Sequence, residues 1–172
     1  MNIWIIPSGL RPVSALGSLA AGLAFSLLPV PPAHAALGGA PMTPPSGATV
    51  SHAVTRAATP AAASASASSY TVSTTTLPVG TVVNEYVGAD GVVFGVAWRG
   101  PRIPDLPKLL DSYFPQYVQG IQNQRANGGG RGPVSVTGTA LVVRSGGHMG
   151  SFAGQAYLPP ALPAGVSASD IK

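Results

Sequence analysis

The stretch from Thr81 to Ile121 constrains the fold of this chain most strongly. It begins with two runs rich in β-branched and aromatic residues, Val82–Val87 and Val92–Trp98, which are typical of strands. Asp90-Gly91 lies between the runs and favours the positive φ angles of a two-residue hairpin loop. We therefore predict an antiparallel hairpin as the nucleus of a folded domain.

The alternation of this hairpin places a carboxylate on its more apolar face. With a two-residue loop, six side chains share that face: Val83, Glu85, Val87, Phe94, Val96 and Trp98. A buried carboxylate without a partner is costly, so Glu85 needs a cationic partner or takes up a proton. We expect a carboxylate at the sheet margin paired with an arginine, with a catalytic role as the alternative.

An amphipathic helix follows the hairpin. Asp105 lies where an N-cap is expected, and Pro107 is tolerated in the first turn. Pro115 interrupts the pattern, which predicts a kink or two abutting helices, and the helix must end by Asn127. Its apolar face, which we expect to cover the sheet, consists of Leu106, Leu109, Leu110, Tyr113, Tyr117 and Ile121.

Residues 1–35 have the pattern of a secretory signal peptide. Arg11 supplies positive charge, Val13–Val30 is an apolar run, and Ala33-His34-Ala35 is a small-x-small cleavage site. A membrane anchor is the alternative, but the run ends in a cluster of prolines. We expect export to the periplasm or the extracellular space. With no second hydrophobic span, the mature chain is not expected to span a membrane.

The rest of the chain divides by composition. Residues 36–69 are rich in Ala, Ser, Thr and Pro and hold few large apolar side chains, which predicts a disordered low-complexity tether. Residues 70–172 are expected to form a single domain with a proline-rich C-terminal tail. The chain has no cysteine, so disulfides cannot stabilise it.

The order of the predicted elements indicates the fold class. Strands are predicted at Tyr70–Leu77, in the hairpin, at Val134–Arg144 and at Met149–Leu158, with a turn at Ser145–Gly147. The order is β-β-β-α-β-β, with short turns. We predict an α+β fold, in which a small antiparallel sheet of about five strands is covered on one side by a kinked helix.

Several runs of residues resemble a known family. They are Leu77-Pro-x-Gly-Thr-Val-Val-x-Glu-Tyr-Val, Ala89-Asp-Gly-Val-Val-Phe, Ala97-Trp-x-Gly-Pro, Ser145-Gly-Gly-His-Met, Phe152-Ala-Gly-x-Ala-Tyr-Leu-Pro and Leu162-Pro-Ala-Gly-Val. Together they are similar to an uncharacterised family of short exported proteins from Gram-negative bacteria, a domain of unknown function. The resemblance implies export and a small stand-alone domain, and it supplies no functional residues. One departure is Gly150, where a basic residue is expected after His-Met.

A catalytic site has weak support in the sequence. His148 is the only histidine of the predicted domain, and a hydrolase could use it with Ser151 and either Glu85 or Asp90. Ser151 lacks the strand-to-helix context of a nucleophile elbow. His148 and Met149 could contact Cu(I), but two residues are too few to predict a metal site, and no cofactor is expected.

The basic residues indicate a different class of function. Charged residues make up only 8% of the chain, which is too dilute for nucleic-acid binding. Four residues between sheet and helix, Trp98, Arg99, Arg102 and Lys108, could bind an acidic glycan or an envelope protein. We therefore favour an exported, non-enzymatic binding or structural module, with a small secreted hydrolase as the alternative.

Overall fold

Antiparallel strands form one sheet in the computed structural model, which describes residues 37–56, 68–130 and 132–172. Seven strands lie in these residues, and their order across the sheet is β1-β2-β3-β4-β7-β6-β5. Their bounds are β1 (Thr49–Arg56), β2 (Ser69–Thr76), β3 (Val82–Val87), β4 (Val93–Gly100), β5 (Val134–Thr137), β6 (Val142–His148) and β7 (Ser151–Tyr157).

The predicted sheet of about five strands was wrong. Strand β1 lies in the segment that the composition assigned to a tether, and it pairs with β2 along its whole length. The single strand predicted over 134–144 is divided into β5 and β6 by a turn, in which Gly138 N donates to Leu141 O at 2.9 Å. The predicted turn over 145–147 lies inside β6, and the β6–β7 turn falls at Met149-Gly150 instead. The predicted signal peptide and residues 57–67 of the predicted tether lie outside the described residues.

The predicted hairpin is present as β3 and β4, with a wider loop. Gly88 N donates to Val92 O at 2.8 Å, so the loop is not the two-residue turn expected from Asp-Gly. The pairing register shifts between Tyr86 and Val87 and leaves Phe94 as an extra residue. This bulge turns Phe94 to the opposite face from the one predicted.

One helical stretch covers one face of the sheet, called here the helix side. It consists of α1 (Leu106–Leu110), a 3₁₀ turn (Asp111–Tyr113) and α2 (Phe114–Ala126). Asp105 caps α1, as predicted, by accepting from Lys108 N. The break lies at Asp111, which has a φ of 39°, while Pro115 occupies the first turn of α2, where its missing N–H leaves no bond unmade.

The main core lies between the sheet and the helical stretch. A segment that precedes β1 completes it, because Leu37 is buried there and its N–H donates to Leu109 O at 3.2 Å. Gly38 N donates to Val93 O, and Val93 N donates to Gly39 O, both at 2.8 Å. The buried core residues include Val83, Val96, Trp98, Leu110, Tyr117, Leu141, Val143, Ala156 and Leu158.

A smaller core lies on the opposite face, called here the tail side. The chain after β7 carries two short 3₁₀ turns (Pro159–Ala161 and Ala168–Asp170) and returns across this face. Ile171 is fully buried there, and its side chain packs so closely on Gly95 that a Cβ at residue 95 would lie 2.8 Å from Ile171 Cδ1. The cluster holds Tyr70, Tyr86, Phe94, Ala97, Val166 and Ile171. None of the described helices is long and apolar enough to cross a membrane.

Candidate functional site

The structure separates the four residues of the predicted binding site. Trp98 is 3% exposed and belongs to the helix-side core. Arg99, the next residue of β4, lies on the tail side and is exposed. Arg102 is exposed in the loop that follows, and Lys108 pairs with Asp105 at 3.3 Å on α1. These residues therefore do not form one site.

The residues of the hydrolase alternative are also dispersed. His148 and Ser151 oppose each other at the end of the β6–β7 hairpin, and both are exposed. Glu85 lies in the same row across the sheet as Val143. Val143 and His148 are five residues apart along β6, so this row lies roughly 16 Å from His148 in the strand direction. Asp90 occupies the turn at the opposite end of the sheet, where its Oδ1 accepts from Val92 N. Neither Glu85 nor Asp90 approaches His148 by these pairings.

Glu85 lies on the core face that the alternation indicated, but the expected carboxylate at the sheet margin was wrong. Strand β3 lies inside the sheet, and Glu85 has no arginine partner among the described residues. It is 1% exposed, and its Oε1 accepts from Met42 N at 2.9 Å. Its Oε2 and the nearby Thr75 Oγ1 make no hydrogen bond among the described residues. Burial raises the pKa of Glu85, and the bond from Met42 N lowers it by a smaller amount. Glu85 thus fastens the segment before β1 to the sheet.

The open part of the tail side carries a different arrangement. One row of directly opposed residues crosses five strands there: Asn84, Ala97, Gln155, Arg144 and Ser135. The adjacent row contains Arg99, Ala153 and Gly146. Directly opposed residues in antiparallel strands project from the same face, so these side chains line one surface. We call this surface the cationic groove.

The shape of the cationic groove follows from the small residues in its centre. Ala97, Ala153 and Gly146 form a floor that no long side chain fills, with Arg99 and Arg144 on either side. The strand spacing and the rise per residue place the two arginine Cα atoms roughly 12 Å apart. The resulting depression has a volume of about 900 Å³, which is within the usual size range of ligand sites.

The charges of the cationic groove are not neutralised within the described chain. The side chains of Arg99 and Arg144 form no hydrogen bond or ion pair with any described residue, and neither does the side chain of Gln155. Lys172 adds a third cation at the border of the groove. Hydrogen bonds from Ser167 lower the pKa of Asp170, and the charge of Lys172 lowers it by a smaller amount, so this cation lies near a carboxylate. Two free guanidinium groups therefore dominate the surface.

The border of the groove is held in place by the tail. Lys172 O accepts from Tyr86 Oη at 2.7 Å and from Asn84 Nδ2 at 3.0 Å. Asn84 Oδ1 accepts in turn from Thr74 Oγ1 at 2.9 Å. These bonds fix the Asn84 side chain, whereas Gln155 and the two arginines remain available to a ligand.

The chemistry of this arrangement is recognition of anions. Guanidinium groups bind carboxylate and phosphate in a bidentate manner, and carboxamides bond to hydroxyl and carboxylate oxygens. No group of three or more His, Cys, Asp or Glu that could hold a metal ion occurs in the described parts of the chain.

Sequence reasoning found Arg99 but missed Arg144 and Gln155. For Gln155 the signal was present, because alternation in the predicted strand Met149–Leu158 places it with Ser151 on the more polar face. For Arg144 it was not, because a continuous strand over Val134–Arg144 groups Arg144 with Val136 and Val142, and only the turn between β5 and β6 removes that grouping. The sequence did not show that β7 pairs with β4, because the helical stretch separates these two strands along the chain. This pairing brings Arg144 and Gln155 beside Arg99.

Comparison with known proteins identifies the family. Residues 33–171 match the model of a family described as "Protein of unknown function (DUF2844)". This match covers most of the chain, so the chain belongs to that family. Searches of curated proteins and of solved structures gave no match.

Proposed function

We propose that this member of the DUF2844 family is an exported, non-enzymatic module that binds an acidic glycan in the cationic groove. The observation that carries the proposal is the pair Arg99 and Arg144, exposed on an open sheet face without an acidic partner among the described residues. Each charge-assisted hydrogen bond to such a group contributes about 1.5–3 kcal/mol.

The groove fits a glycan better than an acidic peptide. One common way for an extended peptide to bind is to add a strand to a sheet edge, where backbone groups are free. The groove lies on β3, β4, β7 and β6, whose backbones already pair on both sides. Only side chains are available there, and carboxamide, hydroxyl and guanidinium groups suit the hydroxyls and carboxylates of an acidic sugar chain.

Export is supported by the apolar run and cleavage site before Ala36. The family match begins at residue 33, beside that site, which agrees with a mature chain starting nearby. Mass spectrometry of the protein recovered from producing cells tests this part. A mature amino terminus at Ala36 supports export, and an intact Met1 contradicts it.

Binding is tested by titrating polygalacturonate into the protein at low and moderate salt. Replacing Arg99 and Arg144 with Ser should weaken binding at least about tenfold. This figure is lower than the loss of two buried charged hydrogen bonds would give, because solvent weakens the interactions of exposed charges. The matched control, Arg102→Ser with Arg125→Ser, removes the same charge from exposed positions outside the groove and should bind like the unaltered protein. Wild-type affinity should fall as salt rises.

Three outcomes would contradict the proposal. Equal losses of affinity in both double variants would indicate a general effect of net charge. If the protein does not bind polygalacturonate even at low salt, an acidic glycan is not the ligand. Stronger binding of polyglutamate than of polygalacturonate would replace the glycan by an acidic peptide.

A further inference from the structure

The two outer edges of the sheet differ in how they are protected. Strand β5 has four residues, follows Pro133, and is capped by a side chain of α2. Gln124 Nε2 donates to Pro133 O at 3.0 Å, and Gln124 Oε1 accepts from Ser135 N at 3.1 Å. These contacts occupy backbone groups that would otherwise be open to another strand.

Strand β1 has none of these protections. It has eight residues in unbroken register with β2, and no described segment pairs with its outer edge. From Thr49 to Thr55 it contains no charged residue and no proline. Val54 is 79% exposed and Val50 is 37% exposed, so both are among the few large apolar side chains that face solvent. A long, uncharged and unprotected edge is a template for a further strand.

We propose that the outer edge of β1 pairs with β1 of a second copy of this chain, antiparallel and with His52 opposite His52. The alternation of the strand places Val50, His52 and Val54 on one face. With His52 on the twofold axis, Val50 opposes Val54 of the second copy twice, which covers apolar surface with apolar surface. Moving the axis to residue 51 or 53 instead places His52 opposite a valine.

A twofold pairing of this kind is self-complementary, because each residue contacts its counterpart by the same operation. Its axis is perpendicular to the sheet, since opposed residues share a face. The two cationic grooves then lie on the same side of one continuous sheet. If the proposed function holds, one long acidic glycan can contact both grooves, which raises the apparent affinity; the dimer itself does not depend on glycan binding.

The absence of cysteine from the chain allows a direct test with the full-length gene product as cells process it. In His52→Cys the two introduced sulfurs face each other across a pair whose Cα atoms are about 4.5–5.5 Å apart, which permits a disulfide. Under mild oxidation this variant should give a covalent dimer in high yield. Two controls, Ala53→Cys next to it and Thr137→Cys on β5, should remain largely uncrosslinked.

Sedimentation of the unmodified protein gives the second readout. We expect a reversible dimer, and Val54→Lys should raise its dissociation constant at least about tenfold. Because Val54 is exposed, the substitution should leave the thermal unfolding of the monomer unchanged. A monomer at all concentrations with no His52→Cys cross-link would overturn the proposal. So would a dimer that is cross-linked equally well by Thr137→Cys, or cross-linking of the His52→Cys variant to a different protein only.

Discussion

The two faces of the sheet use the same strands for different purposes. On the helix side, Val83, Val96 and Trp98 are sealed beneath the helical stretch and the segment that begins at Leu37. On the tail side, an aromatic cluster is covered at one end of the sheet, and the cationic groove stays open at the other. Because neighbouring residues of a strand point to opposite faces, stability and binding are encoded one residue apart. Trp98 and Arg99 are the clearest case.

The largest expected effect comes from exchanging Trp98 for alanine. Its ring lies directly on the backbone of Gly154, where no Cβ would fit, so little can collapse into the space. We expect a loss of about 3–5 kcal/mol in the free energy of unfolding. Arg99→Ala, one residue further, should change it by less than about 0.5 kcal/mol. Urea unfolding of both variants measures the difference, and similar losses would refute the assignment of faces.

The next effect concerns the smaller core on the tail side. Ile171→Ala should cost about 2–3 kcal/mol, towards the low end for such a truncation because the tail can settle into the space. Hydrogen exchange should accelerate first in the tail and around Tyr86, while α2 keeps its protection. Truncation of the exposed Val79 to alanine is the control and should change neither quantity. Uniform acceleration over both faces would mean that the two cores unfold as one.

A smaller effect tests the carboxylate on the helix side. The pKa of Glu85 is raised, so the folded state holds its proton more tightly than the unfolded state. This contribution to stability is complete below the ordinary glutamate pKa and is lost as the pH rises through the higher pKa of the folded state. Each unit of the shift corresponds to about 1.4 kcal/mol.

Glu85→Gln removes this titration and keeps an oxygen that can accept from Met42 N. Between about pH 4 and pH 7, the unaltered protein should therefore lose stability relative to the variant. Urea unfolding at both pH values gives the comparison. A wild-type protein that gains stability relative to Glu85→Gln as the pH rises would contradict the assignment.

Local patterns in the sequence predicted the parts of the fold that depend on neighbouring residues. The hairpin, the Asp105 cap, the apolar face of the helical stretch and the placement of Glu85 on the core face all follow from periodicity and propensity. The resemblance to a domain of unknown function was also confirmed. Phe94 was assigned to the wrong face because a bulge shifts the register. Gly95, inside the run Val92–Trp98, was the available signal, since a glycine within a strand pattern often marks a bulge.

Long-range pairing accounts for the remaining errors. Strand β1 was missed because its Thr, Ser and Ala residues bury little, and the strand is held mainly by its ladder with β2. Gly138, which lies at the turn between β5 and β6, was read as part of a strand. The groove could not be predicted for a similar reason, because Arg99 and Arg144 are 45 residues apart in sequence (144 − 99 = 45) and meet only through β7.

The most direct test of the cationic groove is the nuclear magnetic resonance spectrum of its side-chain N–H groups during titration with polygalacturonate. We expect progressive shifts of the Gln155 carboxamide and of the Arg99 and Arg144 Nε–H signals, with Gln122 on the exposed surface of α2 unchanged. Shifts confined to Arg102, or to residues of the helix side, would contradict it.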